Sequence, residues 1–283
     1  MANAFVSALH VYPLKGGRAL DVDRADVSAR GIAGDRRYMA VDANGRFISQ
    51  REVSRLAQVT ALLGGDGLRL SAPGAGALEV PLPADGGDRC RVRLWEDDCD
   101  AVDQGEEAAR WLTDWLGLEA RLVHQPESAR RIVDQTYAVS ARDTVSFADG
   151  YPLLVCSTAS LADLNAHLQE PLPMNRFRPS LVVDGWPEPW WEDGVVRLRA
   201  GEVELTLVKQ CARCVVTTVD QRTAERGREP LRTLARIRRR PRGAMFGENA
   251  IPTTLGRIRI GDQVETLEWS STGHPEGPRA VEA

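Results

Sequence analysis

Apolar and polar residues alternate in short runs through the N-terminal third of this 283-residue chain, with Gly, Pro and Asp between them. Period-two runs of this length mark half-buried strands. They predict strands over 8–14, 25–28, 37–41, 46–49, 59–63, 68–71 and 78–81, and another over 90–95. Asn44-Gly45, set between Tyr38-Met39-Ala40-Val41 and Phe47-Ile48-Ser49, predicts a hairpin, because a type I′ turn takes two residues that tolerate positive φ.

The period becomes helical in few places. Ala108, Leu112, Trp115 and Leu116 share one face of a helix that Asp103 can cap, with Glu106 three residues on, and that Gly117 can end. Leu161, Leu164 and Leu168 predict a second helix over 157–168, behind a buried strand at 153–156. Glu229-Pro230 opens a short Arg-rich helix, since proline suits a first helical turn and glutamate its positive dipole end. Strands resume over 181–183, 195–198, 203–208, 215–219 and 258–267, while 119–139 has little periodicity and reads as a linker. The result is a mainly β chain with a few α-helices, in two β units, residues 1–125 and 126–269, ahead of a disordered tail, 270–283.

At 43% apolar residues the chain can bury a large core, and its formal net charge of −4 provides no global field for a phosphate backbone. No nucleic-acid partner is therefore expected. No stretch approaches the roughly 18 apolar residues of a membrane span, and the N-terminus lacks a basic segment leading into an apolar run, so a cytoplasmic protein without membrane association is expected. Five cysteines, an odd and sparse set, argue against a secreted disulfide framework. Lys15 and Lys209 are the only lysines.

Cys211-Ala212-Arg213-Cys214 is the run that carries most chemistry. A structural zinc site needs a second ligand pair, and His10, His124, His167 and His274 stand at no such spacing. A thioredoxin-like pair needs a helix after its first cysteine, whereas Val215 to Val219 is β-branched. Two readings stay open: a pair of small buried hydrophobes, or a soft thiolate beside Arg213 and Lys209 that suits a soft, high-valent metal whose other ligands come from an organic group.

Taken in order, Tyr12-Pro13-Leu14-Lys15, Gly34-Asp35-Arg36-Arg37-Tyr38, Asp149-Gly150-Tyr151-Pro152, Ser160 to Asn165, Phe177-Arg178-Pro179, Cys211 to Asp220, and Phe246-Gly247 before Gly261-Asp262 resemble the MOSC proteins that carry a MOSC N-terminal β-barrel domain, relatives of the mitochondrial amidoxime reducing component. The resemblance implies an N-terminal β-barrel-like domain followed by a MOSC β-barrel. It also implies a molybdenum cofactor, Mo-molybdopterin, with Cys214 as the protein's thiolate ligand to the metal. Lys15 and Arg36 match the positions that bind the cofactor's phosphate, where Gly16 replaces a serine of some relatives. Arg178, expected to be extended before Pro179, matches an arginine at the pterin, and Asn175 lies one residue off the family's asparagine. Asp149 matches an acidic residue near the metal that orients substrate or relays a proton. Pyridoxal phosphate binding is a further attribution that travels with the family.

The implied activity is reduction of N-oxygenated compounds: hydroxylamines, amidoximes or N-hydroxylated bases. No C-x₄-C-x₂-C run follows the MOSC region, so electrons are expected from a separate protein of ferredoxin, flavodoxin or cytochrome b5 type. Within the same resemblance, a carrier or sulfur-transfer role through a cysteine persulfide is the alternative. Outside it stands a binding module built on Arg236, Arg238, Arg239, Arg240 and Arg242, a cluster that is otherwise a solvated helix face.

Overall fold

The computed structural model describes residues 3–65, 67–81 and 88–270, so the tail from 271 on lies outside it. The expected mainly β architecture is what forms. Nearly all pairings of the largest sheet are antiparallel, with strands in the order Val264–Trp269, Val195–Ala200, Val203–Ala212, Gly243–Pro252, Leu153–Ser157, Leu181–Asp184, Phe5–Val11 and Leu20–Asp21. Arg239–Arg240 adds a ninth strand against the start of Gly243–Pro252. The exception is Leu153–Ser157, which runs parallel to Leu181–Asp184, and helix Thr158–Ala166 lies in the connection between them. Ser157 caps that helix, its side chain accepting from the Ala159 and Ser160 amides.

Three smaller sheets complete the chain. Tyr38–Val41, Arg121–His124, Asp97–Asp103 and Arg89–Leu94 form one; Gly256–Arg259, Arg24–Ser28 and Gly31–Ile32 a second; Thr60–Gly64, Gly67–Ala72 and Ala75–Pro81 a third. In the last, Leu68, Leu70, Leu78 and Val80 point inward while Arg69 and Glu79 pair outside, the alternation that marked these strands. Among the described residues the pairings make four open sheets rather than one closed barrel. N- and C-terminal segments are laced together, because Phe5–Val11 pairs with Leu181–Asp184 and Arg24–Ser28 with Gly256–Arg259. That lacing sets positions near 15 and 36 against positions near 178 and 214.

Several expectations are corrected. Residues 215–219 are not a strand: Val215–Thr218 is a 3₁₀ turn with Cys214 at its cap position, because the preceding strand already ends at Ala212. The 119–139 segment is not a free linker, since Arg121–His124 is a sheet strand and buried Arg131 pairs with Asp97 at 2.7 Å. Asp97–Asp103 and Gly243–Pro252 were not anticipated; acidic residues break the apolar alternation of the first, and Gly247, Glu248 and Asn249 that of the second. The Asn44-Gly45 turn exists, but only Gly45 has positive φ, at 72°. Asp42 Oδ1 holds it by accepting from the Asn44 and Arg46 amides, so it is not type I′, and a single bridge, Val41 with Phe47, continues it. The helix runs Gly105–Leu116 with Gln104 at the cap position, and Asp103, one residue further out, still satisfies its first amide by accepting from Gly105 at 2.7 Å; Gly117 ends the helix at φ 75° as expected.

Gly247 sits at φ 76° inside the ten-residue strand, where an added Cβ would come within 2.7 Å of Cys156 Sγ and 2.8 Å of the Val155 carbonyl. Gly247→Ala should therefore cost roughly 2–4 kcal/mol of stability, combining backbone strain with overpacking. Urea denaturation checks this, with Gly76→Ala, which has open space around it, expected within about 0.5 kcal/mol of the parent.

Candidate active site

A cleft of about 130 Å³ opens where the laced segments meet, and its floor is the end of strand Val203–Ala212 with the turn beyond it. Cys211, Arg213 and Cys214 line it there. Lys15, Arg36, Asp149 and Arg178 line the same cleft, so residues some 200 positions apart in sequence share one cavity.

Each is held by its local backbone. Lys15 follows the Leu14–Tyr38 bridge, its amide donating to the Tyr38 carbonyl at 2.7 Å. Gly16 then turns at φ 77°, where a Cβ would meet Leu56 Cδ2 at 2.6 Å, so both the backbone conformation and the space favour glycine. Lys15 Nζ donates to the Phe147 carbonyl at 2.8 Å and to Asp149 Oδ1 at 2.5 Å. The pair is asymmetric: the Lys15 side chain is 8% exposed and the Asp149 side chain 69%. Burial pulls the Lys15 pKa down although Asp149 opposes it. Burial works against ionised Asp149, but the Lys15 ammonium outweighs it and holds the carboxyl well below its ordinary range. At neutral pH Asp149 is thus an acceptor facing the cleft and not a proton donor.

Arg36 pairs with buried Asp35, and its guanidinium lies 4.5 Å from the Tyr12 ring centroid. On the same ring, Arg178 lies at 4.3 Å, donating to the Gly17 carbonyl at 2.7 Å and to Gln221 Oε1 at 3.3 Å. Contrary to expectation Arg178 is left-handed, at φ 55°, because it closes the 3₁₀ turn Met174–Phe177 with its amide bonded to the Asn175 carbonyl. Burial brings its pKa down to about 10, against the pull of Tyr12. Asn175 is exposed at the start of this turn and does not line the cleft.

Arg213 fixes the cysteine loop. Its Nη1 donates to Cys211 Sγ at 2.8 Å and its Nη2 to the Phe177 carbonyl at 2.7 Å. Cys214 is half-buried at the head of the next turn. Lys209, expected beside the thiolate, instead packs over Tyr137 and Tyr151 and lies outside the cleft. Gln50, Arg51 and Trp95 line the wall without having been anticipated. Gln50 and Gln221 exchange amide hydrogen bonds across 171 residues, a long-range pairing that no local pattern announces. Trp95, at φ 57° in a hairpin turn and 4.3 Å from the Arg51 guanidinium, carried one weak signal, a large aromatic in a turn.

Residues 3–119 match the MOSC N-terminal beta barrel domain and residues 142–265 the MOSC domain. Human mitochondrial amidoxime-reducing component 1 is 32% identical over 93% of this chain and 82% of its own length. The mouse protein of the same name is 33% identical with the same coverage, and rat mitochondrial amidoxime reducing component 2 is 33% identical over 92% and 82%. The chain belongs to the MOSC-domain proteins related to these components. Neither the matched domains nor the relatives' names support the pyridoxal phosphate attribution or a cytoplasmic placement. Among the described residues no helix is long and apolar enough to cross a membrane.

The residues of this MOSC cleft fit an anionic cofactor with a thiophilic metal. Arg178 Nη2 and Arg213 Nε are buried without a hydrogen-bond partner, which is costly unless a ligand supplies the acceptor. Cys214 supplies the soft donor, and Lys15 and Arg36 the cations suited to a phosphate. Among the described residues no three His, Cys, Asp or Glu side chains converge as a self-sufficient metal site.

Behind the cysteine strand the core contains acids. Glu192 is fully buried, accepting from Ser160 Oγ at 2.8 Å, and burial raises its pKa to about 7. Because the folded value lies above the unfolded one, its contribution is full below about pH 4.5 and is lost as pH rises toward about 7. Glu192→Gln should flatten this decline, gaining of order 3 kcal/mol over the parent at pH 8 and little at pH 4, as read by urea denaturation across that range.

Proposed function

We propose that this chain is a molybdenum-cofactor-dependent reductase of N-oxygenated compounds such as amidoximes, hydroxylamines and N-hydroxylated bases, supplied with electrons by a separate redox protein. The observation that carries the proposal is that Cys214 lines one cleft together with Lys15, Arg36 and Arg178. Family membership and the names of the relatives support the reaction class. Cys214 would be the ligand to the metal. Lys15 and Arg36 would hold the phosphate, and Arg178, with its open Nη2, the pterin.

When bound, the cofactor supplies a two-electron couple and a site for oxygen-atom transfer. Overall, an N–OH group takes two electrons and two protons and leaves as N–H and water. The chain's own residues bind and orient. Asp149, ionised and exposed to the cleft, can accept from the N–H or O–H donors of an amidoxime and so aim its N–O bond inward. Lys15 Nζ keeps its proton between the Phe147 carbonyl and Asp149, maintaining a fixed positive charge at the phosphate end. Phe47, Trp95 and Tyr151 line the same cavity and limit water in it.

In protein made in a cofactor-competent host, Cys214→Ala should keep the parent's denaturation midpoint, since the side chain is half-buried, yet lose amidoxime reduction. Lys15→Met should weaken cofactor retention by roughly 10-fold to 100-fold, the range of one charge-assisted hydrogen bond, read as molybdenum per chain after gel filtration. Molybdenum-free protein carrying a labile persulfide would replace this reading with sulfur transfer, and full activity in purified Cys214→Ala would refute the ligand role.

A further inference from the structure

Nine arginines face two glutamates between positions 222 and 242, in a chain whose formal net charge is −4. This stretch is therefore an island of positive charge on an acidic molecule. Arg238 alone is drawn inside, where it pairs with Asp193 at 2.5 Å; the others are exposed.

The island surrounds the cysteine loop. Arg239–Arg240 pairs with the strand beginning at Gly243, and a Cβ on Gly243 would lie 3.6 Å from that of Ala212. Helix Leu231–Ile237 packs on the Val215–Thr218 turn, and Arg228, Arg232 and Arg236 line one groove beside it. Arg226 Nη2 reaches back to the Gln50 and Arg51 carbonyls on the cleft wall. At the centre Ala212 and Val215 are exposed, Val215 at 40%. A small apolar centre inside a charged rim is the anatomy of a transient interface, and electron-transfer encounters are among the smallest.

We infer that this face is the docking site of the electron donor, a small acidic redox protein whose carboxylates meet the arginines while its cofactor edge faces Ala212 and Val215, the exposed chain neighbours of Cys211 and Cys214. The inference rests on the reductase reading above. Two one-electron deliveries there, with two protons from solvent, balance the conversion of N–OH to N–H and water. A nucleic acid would also seek the arginines, but no Phe, Tyr or Trp lies between 212 and 245 to stack on a base.

The test uses holoenzyme and two reductants, a reduced acidic [2Fe–2S] ferredoxin and reduced methyl viologen, a small cation that needs no docking surface. Arg232→Glu/Arg236→Glu and Arg239→Glu/Arg240→Glu should each slow ferredoxin-driven amidoxime reduction at least about 10-fold at low ionic strength, and flatten its decline with added salt. Viologen-driven turnover should stay within about twofold of the parent, which also controls for folding. Ferredoxin-driven rates and salt slopes unchanged in both variants would overturn the docking site, as would unchanged rates accompanied by loss of binding to a mixed-sequence oligonucleotide. Absence of viologen-driven turnover in the parent would instead refute the reductase reading itself.

Discussion

One buried ring holds the cleft in shape. Tyr12 is fully buried, with Arg36 against it at 4.5 Å and Arg178 at 4.3 Å, and its hydroxyl donates to the Pro179 carbonyl at 3.0 Å. Its amide donates to Asp35 at 2.8 Å, and Asp35 in turn pairs with Arg36. Two guanidinium groups so close in a dry interior repel, and a single buried carboxylate offsets only one of them. The ring's π face supplies part of the rest, and burial still lowers the pKa of Arg178. An anion bound beside them would relieve the surplus positive charge and stabilise the fold by mass action. Because Tyr12 lies at the end of the first strand and Arg178 after the turn at Met174–Phe177, the same contact fastens the N-terminal segment to the MOSC segment.

Much of this architecture was legible in sequence where apolar alternation is undiluted, as in Leu68, Leu70, Leu78 and Val80. It was illegible where buried polar residues stand inside a strand. Gly243–Pro252 lies near the middle of the largest sheet, yet fully buried Glu248 and the left-handed Gly247 disguise it. Val215–Thr218 erred in the other direction, since β-branched residues favour strands only when a pleated surface is available to them. Ala212 takes the last ladder position, opposite Met245, and the chain then has to turn to place Arg213 between Cys211 and the Phe177 carbonyl.

The cleft shows the same division. Lys15, Arg36, Arg178 and Cys214 lie in short ordered motifs, so resemblance could mark them. Gln50, held by Gln221, and Arg51 reach it through contacts that span the chain and leave no local trace, and Trp95 leaves only the weak one of an aromatic in a turn. Asn175 shows how far one position matters in a tight turn: its carbonyl serves the Arg178 amide while its side chain faces solvent. The left-handed φ of Arg178 was equally hidden. A residue before proline avoids that region on its own, and here the turn bond, Tyr12 and the Gly17 carbonyl over-determine it.

Positive charge occurs here in two physical regimes, and they suit two different tasks. Lys15 and Arg178 are buried and Arg36 is largely so, which means that salt screens them little and that named acceptors aim most of their donors, Arg178 Nη2 being left open. Between 222 and 242 the arginines other than Arg238 are exposed, and their charge acts over about 10 Å at moderate ionic strength without demanding a fixed geometry. Fixed geometry is what a resident cofactor demands. Long reach with rapid release is what a passing electron donor demands, because a docking contact that bound as tightly as the cofactor would stop turnover after one delivery. The cysteine loop lies at the boundary between the two regimes, with its thiols toward the buried set and Ala212 and Val215 toward the exposed one.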